Sequence, residues 1–265
     1  VYGVAFLDIS TGELLVSQGS KEDVDKLLQN FNPSELLVTR TDKKTLAIEF
    51  PYDLPFYHLD DWVFQIDFAK ESLLKHFKVN SLKGFGVEKL DQAMISAGSI
   101  LYYLEETQHD KLDHVSNISR IEDDNFVWMD RFTVRNLELY TALSQGAVTL
   151  IDVIDQTTTA MGGRMLKRWM AFPLKDAAQI KKRHDVVEFF TSSLEKQEEI
   201  KTYLKRMSDL ERLISKVAVG KICPREVVQL KNSLEAIIPV KEKALASDNK
   251  ALNIIGESYT HLTLP

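Results

Sequence analysis

The first half of the chain alternates between short apolar runs and segments whose apolar residues recur at helical spacing. Residues 2–9 are a nearly continuous apolar run, typical of a strand covered on both faces, and residues 13–17 return as a second strand after a turn. Two more strands are predicted at 36–39 and 56–59, with helices at 20–30, 43–48, 67–77 and 89–105. This order predicts an α/β domain, in which helices pack on a mixed sheet.

The second half of the chain is predicted to be almost entirely helical. Asp176 is placed to cap a helix over 177–192, Ser208 and Glu211 have the spacing of a capping box, and Pro224 fits the first turn of another helix. Two apolar stripes are predicted to face inward: Leu210, Leu213, Ile214 and Val217 on one helix, and Val227, Leu230, Leu234 and Ile237 on the next. Amphipathic helices with short connections bury such stripes against one another, so the pattern predicts a helical bundle.

Charge is divided unevenly between the two halves. Residues 1–129 hold 12 Lys and Arg against 22 Asp and Glu, a balance of −10, whereas residues 130–265 hold 21 against 17, a balance of +4. Because this shift coincides with the change in pattern, we expect an α/β domain over 1–115, an extended linker over 116–129 and a helical domain over 130–265. The negative first half is unsuited to gripping duplex phosphates.

The composition indicates an ordinary globular protein of one or two domains. The 265 residues are 44% apolar and 27% charged, and no apolar run approaches the roughly 18 residues of a membrane-spanning helix. The single cysteine, Cys223, suits a reducing cytoplasm and is interpreted as a buried residue at a helix start. Since Val1 is not a methionine and stands within a predicted strand, we expect an excised piece of a longer protein, truncated at its C-terminus.

Asp8 is the strongest candidate among the carboxylates for a catalytic or metal-binding residue. It ends the first strand, and together with Asp60 or Asp61 after the fourth strand it could form a two-metal centre that cleaves phosphodiesters. The other carboxylates of such a centre are not at obvious strand ends. We therefore favour a turn aspartate that binds the backbone around residues 10–11, and keep a carboxylate-dependent nuclease as the alternative.

No other metal or phosphate site is specified by the sequence. Gly84 and Gly86 lie outside any complete phosphate-binding motif and are interpreted as loop glycines. His109 and His114 have a spacing that fits neither a helical pair nor a zinc finger, which favours a solvated loop. His184 is interpreted as a helix-surface or packing residue.

The helix that begins near Gly162 and Gly163 is the best candidate for binding an anion. Free N–H groups and the helix dipole meet Arg164, Lys167 and Arg168 there. The small residues also fit a close approach to a neighbour, with Trp169 and Phe172 as core anchors, and we favour this second interpretation. Upstream, Arg135 and Asn136 are expected to satisfy buried carbonyls at a helix end. Since no Ser/His/Asp or Cys/His nucleophile arrangement occurs either, we expect no enzymatic activity from this chain, and no metal, nucleotide or other cofactor.

Four stretches of the chain carry recognisable motifs: Met129–Tyr140, Met161–Leu174, Leu210–Gly220 and Cys223–Val228. The first two resemble the start of the core domain of the MutS family of DNA mismatch-recognition ATPases, and the last two resemble a core helix pair of that family. The motif residues there are Arg135, Asn136, Leu137, Gly162, Gly163, Arg164, Trp169, Pro173, Leu210, Glu211 and Arg212. In the first half, Phe6–Gly12, Asn32–Leu37 and Gly84–Val87 resemble the family's connector domain.

The resemblance implies a fold and a set of partners. The connector would be an RNase H-like sheet without nuclease activity, and the core would be helical. The intact protein would be a homodimer that binds mismatched duplex DNA, uses ATP and Mg²⁺, and recruits MutL. The family's mismatch-reading Phe-x-Glu element, its DNA clamp and its ATPase have no matching positions here, so this chain would be a monomeric connector-and-core segment. Lys70, Glu71 and Ser72 lie on a polar helix face and form a hypothetical surface for MutL.

Overall fold

The computed structural model describes residues 1–50, 55–107, 112–121, 126–144 and 146–258. The chain divides into two compact units. The first comprises Val1–Asp123 with two short pieces, Met129–Arg131 and Ala218–Gly220. The second comprises the remaining residues, which include the stretches Phe132–Val217 and Lys221–Pro265.

The first unit contains five strands and four α-helices among its described residues. In chain order they are β1 (Tyr2–Asp8), β2 (Glu13–Gly19), α1 (Lys21–Phe31), β3 (Leu36–Thr39), α2 (Lys43–Glu49), β4 (Phe56–Leu59), α3 (Ile66–Phe77), α4 (Asp91–Glu106) and β5 (Asn117–Arg120). Single turns of 3-10 helix occur at Asp61–Phe64 and Lys83–Phe85. The strands and helices predicted from the apolar pattern are all present, with ends that differ by one or two residues.

The strands form a mixed three-stranded sheet and a separate parallel pair. β1 and β2 are an antiparallel hairpin, and β5 lies parallel to β2, with Ile118 opposite Leu14. β3 and β4 pair with each other in parallel. A mixed sheet with helices is therefore confirmed, but the predicted strands β3 and β4 form a pair of their own and do not join it. However, β5 lies within the segment for which an extended linker is expected.

Local sequence explains where the first helix begins and ends. The Ser20 hydroxyl accepts from the Asp23 N–H at 3.2 Å, and the Asp23 carboxylate accepts from the Ser20 N–H at 3.0 Å, so two N–H groups at the helix start are satisfied. Asn32 ends the helix in the left-handed conformation, with φ 44°, and Pro33 follows. The predicted stop at this pair is confirmed.

Helix α4 forms the centre of the first unit's core. Met94, Ala97, Leu101 and Leu104 are at most 2% exposed and belong to one apolar cluster with residues of β2, β5 and α3. The α3 and α4 backbones approach closely at Gly98, where a side chain would meet Ala69. The three-to-four-residue spacing of the apolar positions on α4 therefore marks its buried face, as predicted.

The regular elements of the second unit's described residues are helices, apart from an isolated β-bridge between Phe126 and Leu174. The unit contains α5 (Arg131–Asn136), α6 (Leu150–Ile154), α7 (Ala160–Ala171), α8 (Ala177–Thr191), α9 (Leu194–Leu204), α10 (Leu210–Ala218), α11 (Pro224–Leu245) and α12 (Lys250–Ser258). The Asp176 carboxylate accepts from the Ala178 N–H at 2.9 Å and caps α8, and Pro224 occupies the first turn of α11. Both predictions are confirmed. No described helix in either unit is long and apolar enough to cross a membrane.

Two details of the second unit differ from the predictions. The cap of α10 is Asp209, whose carboxylate accepts from the Arg212 N–H, whereas the Ser208 N–H donates to the Ser233 hydroxyl at 2.8 Å. The predicted capping box of Ser208 and Glu211 is therefore wrong. The predicted inward stripes are only partly buried: Leu210 and Leu213 are buried, but Ile214, Val217, Val227 and Leu234 are 46–55% exposed. Residues 259–265, to which the expected truncation refers, lie outside the described part.

Candidate functional site

The most tightly connected polar cluster in the second unit is centred on Arg164 of α7. Its guanidinium donates to both carboxylate oxygens of Asp209, at 2.6 and 2.7 Å, and also to the Glu211 carboxylate. Asp209 additionally contacts Arg212 at 3.6 Å. Arg164 is thus the centre of an ion-pair network that joins α7 to the start of α10; we call these four residues the Arg164 cluster.

The electrostatics of the Arg164 cluster follow from this geometry. The Arg164 side chain is 28% exposed and that of Asp209 is 18% exposed, so both charges are partly withdrawn from water. Hydrogen bonds from Arg164 hold the pKa of Asp209 below its usual range, and the two carboxylates raise the pKa of Arg164. Paired, partly buried charges of this kind favour a fixed geometry.

This network changes the interpretation of the helix start at Gly162. The Gly162 N–H donates to the hydroxyl of Thr159, the N-cap, at 3.0 Å. Arg164, one of the three cations proposed for an anion site, is paired with two carboxylates and is therefore neutralised. A side chain at Gly163 would lie 3.3 Å from the Thr157 hydroxyl. The small residues therefore permit a close approach, as favoured, but to the turn preceding the helix.

The two aromatic anchors predicted on this segment have different environments. Phe172 is 6% exposed and meets the rings of Phe126 and Trp128, each at 5.7 Å between centroids. Trp169 is 42% exposed, and the Arg183 guanidinium covers its ring at 3.6 Å from the centroid. The core prediction is confirmed for Phe172 and wrong for Trp169, whose neighbour Arg183 the sequence did not reveal.

The remaining motif residues lie near the surface or in main-chain contacts. Pro173 accepts through its carbonyl from the Val127 N–H at 2.7 Å. Arg135 and Asn136 are exposed, and Leu137 is 57% exposed. The carbonyls at the end of α5 accept hydrogen bonds from main-chain N–H groups. The Arg135 carbonyl, for example, accepts from the Glu138 N–H at 3.0 Å. The expectation that Arg135 and Asn136 satisfy buried carbonyls is therefore wrong.

Asp8 is the cap of a turn. Its carboxylate accepts from the Ser10 N–H at 2.8 Å and from the Ser10 hydroxyl at 2.6 Å. Although burial acts to raise the pKa of Asp8, these hydrogen bonds outweigh it and lower the pKa. Asp60 pairs with Arg40 at 3.3 Å and Asp61 accepts from Thr41, both beside the separate β3–β4 pair. The favoured turn interpretation is confirmed, and the geometry gives the nuclease alternative no support.

The histidines and the cysteine hold no recognisable metal or redox site in the described part. His114 contacts the Ile9 carbonyl through Nε2 at 2.8 Å, and His184 is exposed on α8. His109 lies outside the described residues. Cys223 is exposed at the start of α11, so its interpretation as a buried residue is wrong. Among the described residues, no group of three or more metal-ligating side chains converges.

The polar face of α3 forms one wall of an open cavity of about 680 Å³. Lys70 is half-buried and pairs with Asp91 at 3.2 Å, and Glu71 is exposed; both line the cavity. Ser72 is half-buried and is not one of the lining residues. The lining is completed by Asp67, Leu74, Lys75, Lys78, Val79 and Asn80, so it carries both signs of charge.

Comparison with known proteins accounts for both units. A family model described as MutS domain II matches residues 1–118, and one described as MutS domain III matches residues 132–261. The first range runs from β1 into β5, and the second covers the Arg164 cluster and helices α6–α12.

Curated relatives agree with these models. The chain is 54% identical over 258 residues to the DNA mismatch repair protein MutS of Flavobacterium psychrophilum and 56% identical over 256 residues to that of Flavobacterium johnsoniae, in each case over 97% of this chain. It is 49% identical over its whole length to that of Parabacteroides distasonis. The chain spans about 30% of the length of these relatives. It belongs to the MutS family, of which it carries domains II and III.

Proposed function

We propose that this chain is the non-catalytic connector-and-core segment of a mismatch recognition protein, and that it mechanically links duplex binding to ATP hydrolysis in the intact protein. The observation that carries the proposal is the Arg164 cluster. A bidentate guanidinium–carboxylate pair fixes the start of α7 against the start of α10, and a helix held in this way can transmit a displacement without bending.

The chemistry of the chain supports a mechanical role. Asp8 is engaged by the Ser10 turn, and Arg164 is neutralised by Asp209 and Glu211. We propose that domain II is an RNase H-like sheet used as a scaffold and not as a nuclease. ATP and Mg²⁺ then belong to the intact protein alone, and this segment itself holds no cofactor.

The partners follow from the family and are part of the proposal. The relatives are DNA mismatch repair proteins by name. We propose that the intact protein binds mismatched duplex DNA as a homodimer in the cytoplasm and recruits MutL. The present chain is proposed to be a monomer with no membrane contact. A stable dimer of the chain at micromolar concentration, measured by analytical ultracentrifugation, would contradict the monomer.

The first experiment is a titration of this chain with fluorescent homoduplex and G·T mismatch duplexes, with and without Mg²⁺. The proposal predicts weak, salt-sensitive binding that ignores the mismatch and leaves the DNA intact. Cleavage that requires Mg²⁺ and disappears in Asp8→Asn would instead establish the nuclease.

The second experiment tests the mechanical link in the intact protein. We expect Arg164→Gln to reduce the stimulation of ATP hydrolysis by mismatched DNA, because it weakens the connection between α7 and α10. Basal hydrolysis should stay unchanged, because the substitution is outside the ATPase domain. Lys181→Gln is the matched control, since Lys181 forms an exposed pair with Asp185 within one helix. Equal stimulation in Arg164→Gln and the parent would refute the link.

The proposed MutL surface is tested at Glu71. Glu71 is exposed, so Glu71→Lys reverses a charge on the α3 cavity with little effect on packing. Lys70→Glu replaces the ion pair with Asp91 by a repulsion between two carboxylates. The double variant, Lys70→Glu with Glu71→Lys, exchanges the two charges on this face of α3. We expect weaker MutL recruitment by the intact protein with both variants. Unchanged recruitment by the double variant would remove this surface from the proposal.

A further inference from the structure

Five aromatic side chains of the first unit form two groups of contacting rings, and consecutive residues of α4, Tyr102 and Tyr103, belong one to each group. Trp62 meets Phe68 and Tyr102 edge-on, with centroids 5.0 and 5.1 Å away, and Phe68 meets Tyr102 at 5.7 Å. Tyr57 meets Tyr103 at 4.7 Å, and α4 carries Tyr102 and Tyr103 side by side. We call these five residues the aromatic patch.

The rings of the aromatic patch pack on one another but are not fully buried. Each ring is held by at least one other, yet Trp62 remains 49% exposed and Tyr57 43% exposed. Large aromatic side chains with this exposure are characteristic of binding surfaces, because a fixed ring offers contact area at little cost in conformational entropy. None of the five lines the α3 cavity, so the patch is a separate surface.

Four carboxylates lie near the aromatic patch, and we call them the rim: Glu35, Asp60, Asp61 and Glu106. The Tyr103 hydroxyl donates to Glu35 at 3.2 Å, Asp60 and Asp61 directly precede Trp62, and Glu106 ends α4. Burial and the nearby charges of Glu106 and Asp60 raise the pKa of Tyr102. These acidic groups make the patch repulsive to phosphates and attractive to cations.

One internal contact shows which cation suits the rim. Arg40 pairs with Asp60 at 3.3 Å while its own side chain is 74% exposed. An exposed pair of this kind contributes little to stability, so an incoming guanidinium can replace it. Arginine is also the cation that stacks best on aromatic faces and binds carboxylates in two-point contacts.

We propose that the aromatic patch is a docking surface for an arginine-containing basic segment of a partner protein. Guanidinium groups stack on Trp62 and Tyr57 while the rim carboxylates neutralise them. This inference does not depend on the proposed mechanical function, since it concerns a surface of the first unit alone.

The test uses three fluorescein-labelled peptides that alternate glycine with arginine, lysine or glutamate, and the chain as the binding protein, with anisotropy measured at low salt. We expect the arginine peptide to bind several-fold more tightly than the lysine peptide, and the glutamate peptide not to bind. Trp62→Leu, which keeps an apolar side chain, is expected to weaken arginine binding by about tenfold, because it removes the most exposed ring. Asp60→Asn combined with Glu106→Gln is expected to weaken it by about threefold.

Two control variants separate the patch from general charge and exposure. Asp113→Asn removes an exposed carboxylate outside the rim, and Phe132→Leu removes a ring that is 70% exposed in the second unit. Both are expected to bind the arginine peptide like the parent. Equal binding by Trp62→Leu and the parent overturns the proposal, as does the absence of arginine-peptide binding. Preferential binding of an oligothymidine strand, or a chain dimer abolished by Trp62→Leu, would likewise overturn it.

Discussion

Arg164 and Asp209 are 45 residues apart in sequence and are joined by two parallel hydrogen bonds of 2.6 and 2.7 Å. The same Asp209 carboxylate accepts from the Arg212 N–H at the start of α10. One side chain therefore caps a helix and also attaches it to α7. Because the Asp209 carboxylate has both roles, we expect the loss of either partner to affect the position of α10 as well as the charge pair.

Arg164→Leu is expected to destabilise the chain by roughly 1–3 kcal/mol. The substitution leaves the partly buried Asp209 without its main donor, and hydrogen bonds to charged groups contribute about this much. Arg164→Lys should recover part of the loss, because it restores the charge but not the two-point geometry. Urea denaturation followed by circular dichroism measures both. The exposed Lys181→Met is the control, with an expected change within about 0.5 kcal/mol. An Arg164→Leu variant as stable as this control would contradict the prediction.

Glu226 is expected to stabilise the folded chain in a way that depends on pH. The Cys223 N–H, which donates at 3.0 Å, and then Lys216 lower the pKa of Glu226 to about 2 from its ordinary 4.5. A lowered carboxyl pKa stabilises the folded chain above the unfolded pKa, and this stabilisation is lost as pH falls through the folded pKa. We expect Glu226→Gln to have a lower urea midpoint than the parent near neutral pH. The gap should close as pH falls from about 4.5 to about 2. A gap that stays constant over this range would show that the carboxylate charge is not responsible.

Apolar periodicity was sufficient to locate most of the first unit. On α4, the positions that recur every three or four residues are those with the least exposure, because a helix packed on a sheet buries one stripe. β5 was missed for a physical reason. Its four residues contain one apolar side chain, Ile118, so no alternation of apolar and polar residues is visible. Its partner β2 is about a hundred residues earlier in sequence, so no short turn connects the two strands and indicates the pairing.

The polar contacts of the second unit could not be predicted in the same way. Nothing near Arg164 in sequence identifies Asp209, and the Ser208–Glu211 spacing suggested a cap that a different residue provides. Exposure was also misjudged. Ile214 and Trp169 are apolar, yet both are exposed, since a side chain is buried only where another element packs on it. The same limit hid the aromatic patch, whose rings come from β4, a turn, α3 and α4.

Gly98 is expected to be required for the approach of α3 to α4. An added Cβ would lie 2.7 Å from the Ala69 Cα and 2.8 Å from its Cβ, both of which are fixed by helix packing. Gly98→Ala gains about 1 kcal/mol of helix propensity, but overpacking costs about 1–3 kcal/mol, so we expect net destabilisation. Gly84→Ala is the control, because no atom lies within 4 Å of its added Cβ. Hydrogen exchange of α3 and α4 amides should accelerate in Gly98→Ala only. Equal protection in the two variants would show that the helices can separate without cost.

The stacking of Arg183 on Trp169 is expected to stabilise the α7–α8 pair by about 0.5–1 kcal/mol. The guanidinium carbon lies 3.6 Å from the ring centroid, and burial against the ring lowers the pKa of Arg183. A double-mutant cycle with Arg183→Met and Trp169→Leu isolates the contact, because each substitution keeps an apolar side chain but removes the charge or the ring. Free energies of unfolding in urea give the coupling. A cycle with Arg183→Met and Phe132→Leu, whose ring is elsewhere, should give none. If both cycles close to zero, Arg183 only shields the ring from water and the contact has no electrostatic component.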